Sequence, residues 1–193
     1  AEDHREPVNP LSSPDTLFQH FSIPAFDEDR WPKAELGESI RSLKLRVLPG
    51  TILLSKLNPE IERVWLASIE PTDGAICSTE FLVLSPLAPY GQAYIYCLAC
   101  SPLFRQQIES LVTGTSKSHQ RAKTEGILGL PVVLPPKAVA DMFDRIASVQ
   151  LSRVLDGRRE SRTLATLRDA LLPKLVSGEL RVKDAARFAG AAL

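Results

Sequence analysis

Short apolar runs separated by turn residues dominate the first two thirds of the chain. Residues 45–48 and 51–55 flank a proline and a glycine at 49–50, and this pattern predicts two strands joined by a tight turn. Residues 64–67 and 81–84 predict two further strands of similar length. Apolar runs of about four residues between turn signals are typical of strands rather than helices. The pattern therefore predicts a β-rich domain.

Three other segments of this domain have a different pattern. Residues 1–35 hold five prolines among polar residues, which predicts an extended segment with short turns. Apolar residues in 92–112 recur at spacings of one, three and four, so we expect a helix there, with a break at Pro102. Residues 132–134, which two prolines follow, predict a last strand.

A long helix is expected after this double proline. Residues 138–172 contain no proline and one glycine, and their apolar positions recur at helical spacing at both ends, whereas residues 156–163 are nearly all polar. Such a helix extends about 50 Å, farther than a domain of this size is wide, so its apolar ends need a partner helix. Two shorter helices, broken near Gly157 and folded back, are the alternative. Pro173 should kink or end the helix, and residues 177–178 should mark its C-terminus.

Composition narrows the classes that this α+β pattern permits. The hydrophobic fraction of 44% and the charged fraction of 24% are those of an ordinary globular protein. No apolar stretch approaches the roughly 20 residues of a membrane span, and the first residues do not resemble a secretory signal, so we expect a cytoplasmic protein without a membrane partner. Cys77, Cys97 and Cys100 are odd in number and have apolar neighbours, which favours reduced thiols. Lys plus Arg equals Asp plus Glu at 23 each, so any positive field must be local.

Residues 113–123 form the most informative polar segment. They include three Lys or Arg residues, no acid and five hydroxyl or amide side chains. Lys and Arg bind phosphates, hydroxyls fix the register, and Gln or Arg can make paired hydrogen bonds to a base edge. A polar surface loop without a ligand has a similar composition. A second candidate is the strand end at 55–59, where Lys56 and Asn58 could face the same groove.

The sequence offers little that could carry catalysis. Residues 116–119 place two serines beside a histidine, but no strand-turn-helix elbow surrounds them. Cysteines 97 and 100 have the spacing of a metal-binding pair without a second pair. Glu60, Glu62 and Glu80 have no spacing that defines a nuclease metal site, and a glycine-rich loop for phosphate or adenosylmethionine is missing. We therefore expect a non-catalytic protein without a metal or cofactor.

Five phrases of the sequence carry a resemblance to a known family. They are residues 52–59 with 63–66, 76–81, 114–116 through 120–121, 135–136, and 164–182. In this order they resemble the specificity subunits of type I restriction-modification enzymes. The resemblance covers about residues 20–182.

This resemblance implies one half of a specificity subunit. Residues 1–137 would be a DNA target-recognition domain, 138–182 a spacer and dimerisation helix that pairs as a coiled coil, and 183–193 a tail. The implied partners are double-stranded DNA, DNA methyltransferase subunits, a restriction-translocase subunit and a second copy through the long helix. The phrase that usually opens a recognition domain is not recognisable before Phe18, so we expect a C-terminal fragment or a natural half-subunit. A coiled-coil scaffold without DNA contact is the alternative function.

Carried onto this sequence, the resemblance makes residues 114–123 the preferred DNA-facing element. Lys117 and Lys123 would contact phosphates. Gln120 and Arg121, with His119, would contact base edges. The full set of expected DNA contacts is Lys56, Asn58, Thr115, Ser116, Lys117, Ser118, His119, Gln120, Arg121 and Lys123. The expected helix-partner contacts are Val139, Phe143, Ile146, Leu164, Leu171 and Leu175.

Overall fold

The computed structural model describes residues 1–69, 74–112 and 120–180. Its strands are β1 (Glu2–Asp3), β2 (Pro7–Val8), β3 (Leu17–Phe21), β4 (Lys33–Leu36), β5 (Lys44–Arg46), β6 (Ile52–Ser55), β7 (Val64–Leu66), β8 (Ala75–Cys77) and β9 (Phe81–Ser85). Its helices are α1 (Ile23–Asp29), α2 (Gln92–Cys100), α3 (Pro102–Ser110), α4 (Thr124–Leu128) and α5 (Lys137–Val176). The predicted α+β class, with strands followed by a long C-terminal helix, is confirmed.

The chain divides into two compact units. The first, Ala1–Ser148, contains the nine strands of the described residues and the start of α5, and the second begins at Val149. Strands of the first unit form a four-stranded antiparallel sheet in the order β1-β9-β6-β7 and a five-stranded sheet in the order β2-β5-β8-β3-β4. The five-stranded sheet is mixed, because β3 and β8 run parallel.

Trp65 lies at the centre of the core between the two sheets. Its ring, on β7, meets Phe21 of the other sheet edge-on at 4.8 Å between centroids, Phe26 of α1 at 5.3 Å and Phe81 of β9 at 6.4 Å. Leu53 of β6 packs in the same cluster and is completely buried. Apolar side chains of both sheets therefore interdigitate at this centre, which stabilises the sandwich by burial and by edge-to-face ring contacts.

The two strands and the turn predicted at residues 45–55 are confirmed, but the strands do not pair with each other. The two runs form β5 and β6, but β5 pairs with β8 and β2 whereas β6 pairs with β7 and β9. A turn does occur, since Thr51 N–H donates to the Leu48 carbonyl at 3.3 Å and Gly50 has a φ of 80°. All four residues of β6 are buried, so this strand lies inside the other sheet and the turn carries the chain between sheets.

Residues 1–35 are more ordered than their prolines predicted. They form β1, β2, β3, α1 and part of β4. Pro24 lies in the first turn of α1, where a missing N–H costs nothing, and the Ser22 hydroxyl caps this helix by accepting from Ala25 N–H at 3.3 Å. Pro7 lies on the edge strand β2, which also tolerates proline. These prolines mark element starts and edges rather than the absence of structure.

The predictions for residues 92–136 are confirmed in part. The helix predicted over residues 92–112 forms as two helices, α2 and α3, and the break between them lies at Pro102 as predicted. The last strand at 132–134 is wrong, because these residues form no strand. Tyrosine hydroxyls bind this segment instead: Tyr94 donates to the Val133 carbonyl at 2.6 Å and Tyr90 to the Pro135 carbonyl at 3.2 Å. α4 was not predicted.

The start of α5 is bound to the N-terminus of α2. Both carboxylate oxygens of Asp144 accept backbone N–H groups, from Gly91 at 2.7 Å and from Tyr94 at 2.8 Å. Ala140 is completely buried, and the Phe143 ring lies edge-on to Tyr94 at 6.1 Å. About three turns of α5 therefore pack within the first unit.

α5 is a single helix of 40 residues, about 60 Å long. It continues through Gly157, so the alternative of two helices broken there is wrong, and Pro173 lies inside it without ending it. Gly178, with a φ of 76°, follows the last turn, which confirms the C-terminus predicted at residues 177–178. Of the described helices, none is long and apolar enough to cross a membrane.

Candidate nucleic-acid interface

The structure brings the two candidate segments of the sequence side by side. Leu57 and Arg121 form an antiparallel β-bridge. On its two sides, Asn58 N–H donates to the Gln120 carbonyl at 2.8 Å and Ala122 N–H donates to the Lys56 carbonyl at 3.1 Å. Segments separated by some 60 positions in the sequence therefore share one edge of the first unit.

The segment after β6 is held by buried polar contacts. The Ser55 hydroxyl bonds both the N–H and the carbonyl of Leu57, each at 3.1 Å. Arg63, which is buried, makes a two-point ion pair with Asp27 at 2.7 and 2.8 Å. Asn58 has a φ of 48°, a conformation that asparagine tolerates better than most residues. These contacts fix the backbone that presents Lys56.

Arg121 makes a two-point ion pair with Glu80. Its Nε donates to Glu80 Oε2 at 2.9 Å and its Nη2 to Oε1 at 2.7 Å. The Glu80 carbonyl also accepts Lys56 N–H at 2.8 Å, so the turn before β9 contacts both candidate segments. The site therefore contains a carboxylate that the sequence analysis did not assign to it. In the sequence, Glu80 lies in the 76–81 phrase of the resemblance and next to an apolar strand, and neither feature indicates a contact with Arg121.

The predicted DNA contacts differ in accessibility. Arg121 and Lys123 are exposed, whereas Lys56, Asn58 and Gln120 are half-buried. The Asn58 Oδ1 atom is buried and has no hydrogen-bond partner among the described residues, so this oxygen is not presented to a ligand. The remaining predicted contacts lie outside the described residues; they are Thr115, Ser116, Lys117, Ser118 and His119.

The predicted helix-partner residues are exposed along α5. Their exposed fractions run from 40% to 61%. Val139, Phe143 and Ile146 lie in the first unit, and Leu164, Leu171 and Leu175 lie in the second. An apolar face of this kind on a helix is typical of a surface that another helix covers.

The cysteines are free thiols whose surroundings disfavour ionisation. Cys77 is buried in the core, and burial raises its pKa to about 12. Burial also raises the pKa of Cys100 to about 11 and that of Cys97 above its usual value. Within the described ranges, His, Cys, Asp and Glu side chains form no cluster of three that could hold a metal ion. These thiols are therefore packing residues in the folded chain.

Fold and interface together define a class of protein: a two-sheet α+β domain with a polar, cationic edge, followed by a long helix with an apolar face. No protein-family model matches the chain. Over 91 residues it is 32% identical to the type I restriction enzyme MjaIX specificity subunit of Methanocaldococcus jannaschii, a match that covers 47% of this chain and 20% of that protein.

Solved structures show the same fold. The HsdS subunit from Thermoanaerobacter tengcongensis superposes with a TM-score of 0.62 at 21% identity, over 86% of this chain and 43% of that one. A chain from a structure concerning complex assembly and conformational transition of the type I R-M system gives a TM-score of 0.62 at 23% identity, over 91% of this chain and 46% of that one. The predicted resemblance to type I specificity subunits is confirmed. The chain spans about a fifth of the curated relative and less than half of each solved chain.

Proposed function

We propose that this chain recognises one half of a bipartite DNA target within a type I restriction-modification specificity subunit. The observation that carries the proposal is the bridge between Leu57 and Arg121, which joins both candidate segments into one surface. This surface presents Lys56, Arg121 and Lys123 on a chain whose Lys and Arg residues equal its acids in number. The similarity to a type I specificity subunit supports the same function.

The polar residues of this surface would have two roles. Lys56 and Lys123 would neutralise phosphates, which sets the protein's register on the duplex but carries no sequence information. Arg121 and Gln120 would contact base edges in the major groove, where Arg pairs with guanine and Gln with adenine.

The long helix would position the other subunits of the complex. Its exposed apolar residues would pack against the spacer helix of a second half, so that two recognition domains are held at a set distance. DNA methyltransferase subunits and the restriction-translocase subunit would dock on this helical scaffold and carry out the chemistry. The chain itself would be non-catalytic.

Selection from a random duplex pool tests DNA recognition. The purified chain is mixed with duplexes that carry a randomised central window, and the bound fraction is sequenced. We expect one short motif to be enriched, and Lys56→Gln and Lys123→Gln each to weaken binding to all duplexes and to reduce the salt dependence by about one ion. Lys33→Gln, which changes an exposed lysine on β4, is the matched control. Equal recovery of all sequences by the wild-type chain would contradict the proposal.

A coiled-coil scaffold without DNA contact is the second candidate, and the apolar face of α5 favours it. Light scattering on the wild-type chain and on Leu164→Glu/Leu171→Glu, taken together with the selection experiment, distinguishes the two functions. Loss of self-association in this variant with no motif enriched by the wild type would favour the scaffold. A motif enriched by the wild type would favour DNA recognition, whatever its oligomeric state.

A further inference from the structure

We propose that Glu80 is a positioning residue that orients Arg121 to recognise a guanine of the DNA target. The inference rests on the proposed function. It adds to that function a residue that positions Arg121, and it names guanine as the base that Arg121 recognises. The sequence analysis considered Glu80 only as a nuclease metal ligand and left it unassigned, because the spacing of Glu60, Glu62 and Glu80 defines no metal site. The geometry points to a different role for its carboxylate.

Glu80 is itself rigidly held. Its N–H donates to the Ser78 hydroxyl at 3.3 Å, and its carbonyl accepts the N–H of Lys56 at 2.8 Å. The next residue, Phe81, begins the buried strand β9 and is completely buried. The carboxylate therefore extends from a backbone that the core and the turn fix together.

The backbone of Arg121 is fixed as well. It bridges Leu57, and the following residue, Ala122, is buried at 3% exposure and bonds Lys56. Both carboxylate oxygens of Glu80 then bind the Nε and Nη2 edge of the guanidinium. The guanidinium and the carboxylate are planar and are joined by two hydrogen bonds. This ion pair therefore selects one orientation of the Arg121 side chain, which otherwise has many rotamers.

The edge of Arg121 that remains is suited to guanine. A guanidinium has five N–H donors, and Glu80 takes one from Nε and one from Nη2, which leaves three. Two of these, one on Nη1 and one on Nη2, run parallel, and this spacing matches the O6 and N7 acceptors of guanine in the major groove. The Arg121 side chain is 56% exposed among the described residues, so more than half of its surface is accessible there. An arginine oriented before binding loses less freedom when it pairs with a base.

Glu80 should also lower binding to DNA in general. Its negative charge lies at the cationic surface and partly cancels Arg121, so phosphate attraction is weaker than the cations alone would provide. Removing the charge should therefore have two opposite effects. Affinity for unrelated duplexes should rise, while the preference for guanine at one position should fall. A residue that only stabilises the fold would weaken both.

The experiment compares four variants with the wild type on the motif that the wild-type chain enriches. The variants are Glu80→Gln, Glu80→Asp, Arg121→Lys and the control Glu6→Gln, which removes an acid paired with Arg46 on the other sheet. Competition with duplexes changed at one base pair measures discrimination at every position. An unrelated duplex measures affinity that does not depend on sequence.

For the wild type we expect one position at which guanine is preferred about tenfold to a hundredfold. Glu80→Gln should reduce this preference to a few-fold and tighten binding to the unrelated duplex, with other positions unchanged. Glu80→Asp keeps the charge but shortens the reach, so it should lose the preference without tightening. Arg121→Lys should lose the preference for guanine at the same position. Glu6→Gln should change neither this preference nor the affinity for the unrelated duplex.

Unchanged discrimination in both Glu80 variants, with the wild-type motif intact, would overturn the positioning role and leave the proposed function standing. A loss of base preference that is spread evenly over all positions of the motif would also overturn the positioning role. Failure of the wild type to enrich any motif would overturn the proposed function instead, before any variant is compared.

Discussion

The contact between Asp144 and the N-terminus of α2 predicts a measurable coupling between two residues far apart in the sequence. Asp144→Ala removes the acceptor for two backbone N–H groups, those of Gly91 and Tyr94. Losing a helix cap costs about 0.5–2 kcal/mol. Two N–H groups lose a charged acceptor here, so we expect the upper end of this range, about 2 kcal/mol. The cost should not exceed it, because both groups are only partly buried. In a chain of 193 residues this lowers the melting temperature by roughly 4–8 °C.

Gly91→Ala should produce nearly the same loss by a different route. A Cβ atom at position 91 would lie 2.7 Å from the Asp144 carboxyl carbon, and the three nearest atoms all belong to Asp144. The carboxylate must therefore move and give up its bonds. Once Asp144→Ala has removed those atoms, the methyl group has room, so Gly91→Ala should cost less than about 0.5 kcal/mol in that background.

Urea unfolding of the wild type, both single variants and the double variant measures this coupling, which we expect to be about 1.5 kcal/mol. Asp141→Ala, which removes an exposed acid one turn earlier on α5, is the control and should change the free energy of unfolding by less than about 0.5 kcal/mol. Additive effects of Gly91→Ala and Asp144→Ala would refute the reasoning. They would mean that Asp144 does not occupy the space beside Gly91.

Three further predictions concern the core and its titratable groups. Trp65→Ala should lower the free energy of unfolding, measured in urea, by about 3–5 kcal/mol, because Trp65 contacts aromatic rings of both sheets. Trp65→Phe should lower it by less. A small effect of Trp65→Ala would contradict the central place of Trp65 in the core. Cys77, whose pKa burial raises to about 12, should resist iodoacetamide at pH 8 until urea unfolds the chain, as peptide mass spectrometry would show; rapid labelling of the folded chain would contradict its burial. Burial lowers the pKa of His20 although Glu35 beside it opposes the shift. The folded state therefore binds fewer protons, and stability should fall as the pH drops below about 6.5. His20→Gln should flatten this dependence in urea titrations, and an unchanged slope would exclude His20 as its source.

The sequence was most informative where periodicity has one physical meaning. The spacing of apolar residues predicted the helix α5 and the strands at 64–67 and 81–84. The missing N–H of proline predicted the break at Pro102. The pairing of β5 and β6 could not be deduced, because a short turn can join strands of one sheet or of two. Which partner a strand takes depends on contacts with residues far away in the sequence.

The candidate interface was predictable in its parts but not in its assembly. Composition singled out the segment of Arg121, which has cations and no acid, and the end of a predicted strand singled out Lys56. Their adjacency depends on a bridge between Leu57 and Arg121, which no local pattern encodes. The contact between Glu80 and Arg121 could not be predicted for the same reason, because it depends on the tertiary fold.

Lysine modification with and without bound duplex tests most directly whether the edge at Leu57 and Arg121 contacts DNA. The folded chain is treated with an amine-reactive reagent, alone and with its enriched duplex, and the rate at each lysine is measured by mass spectrometry. We expect the duplex to slow modification of Lys56 and Lys123 while Lys33 and Lys137 react as before. Protection of Lys33 or Lys137, with Lys56 and Lys123 unaffected by bound duplex, would contradict a DNA surface at this edge.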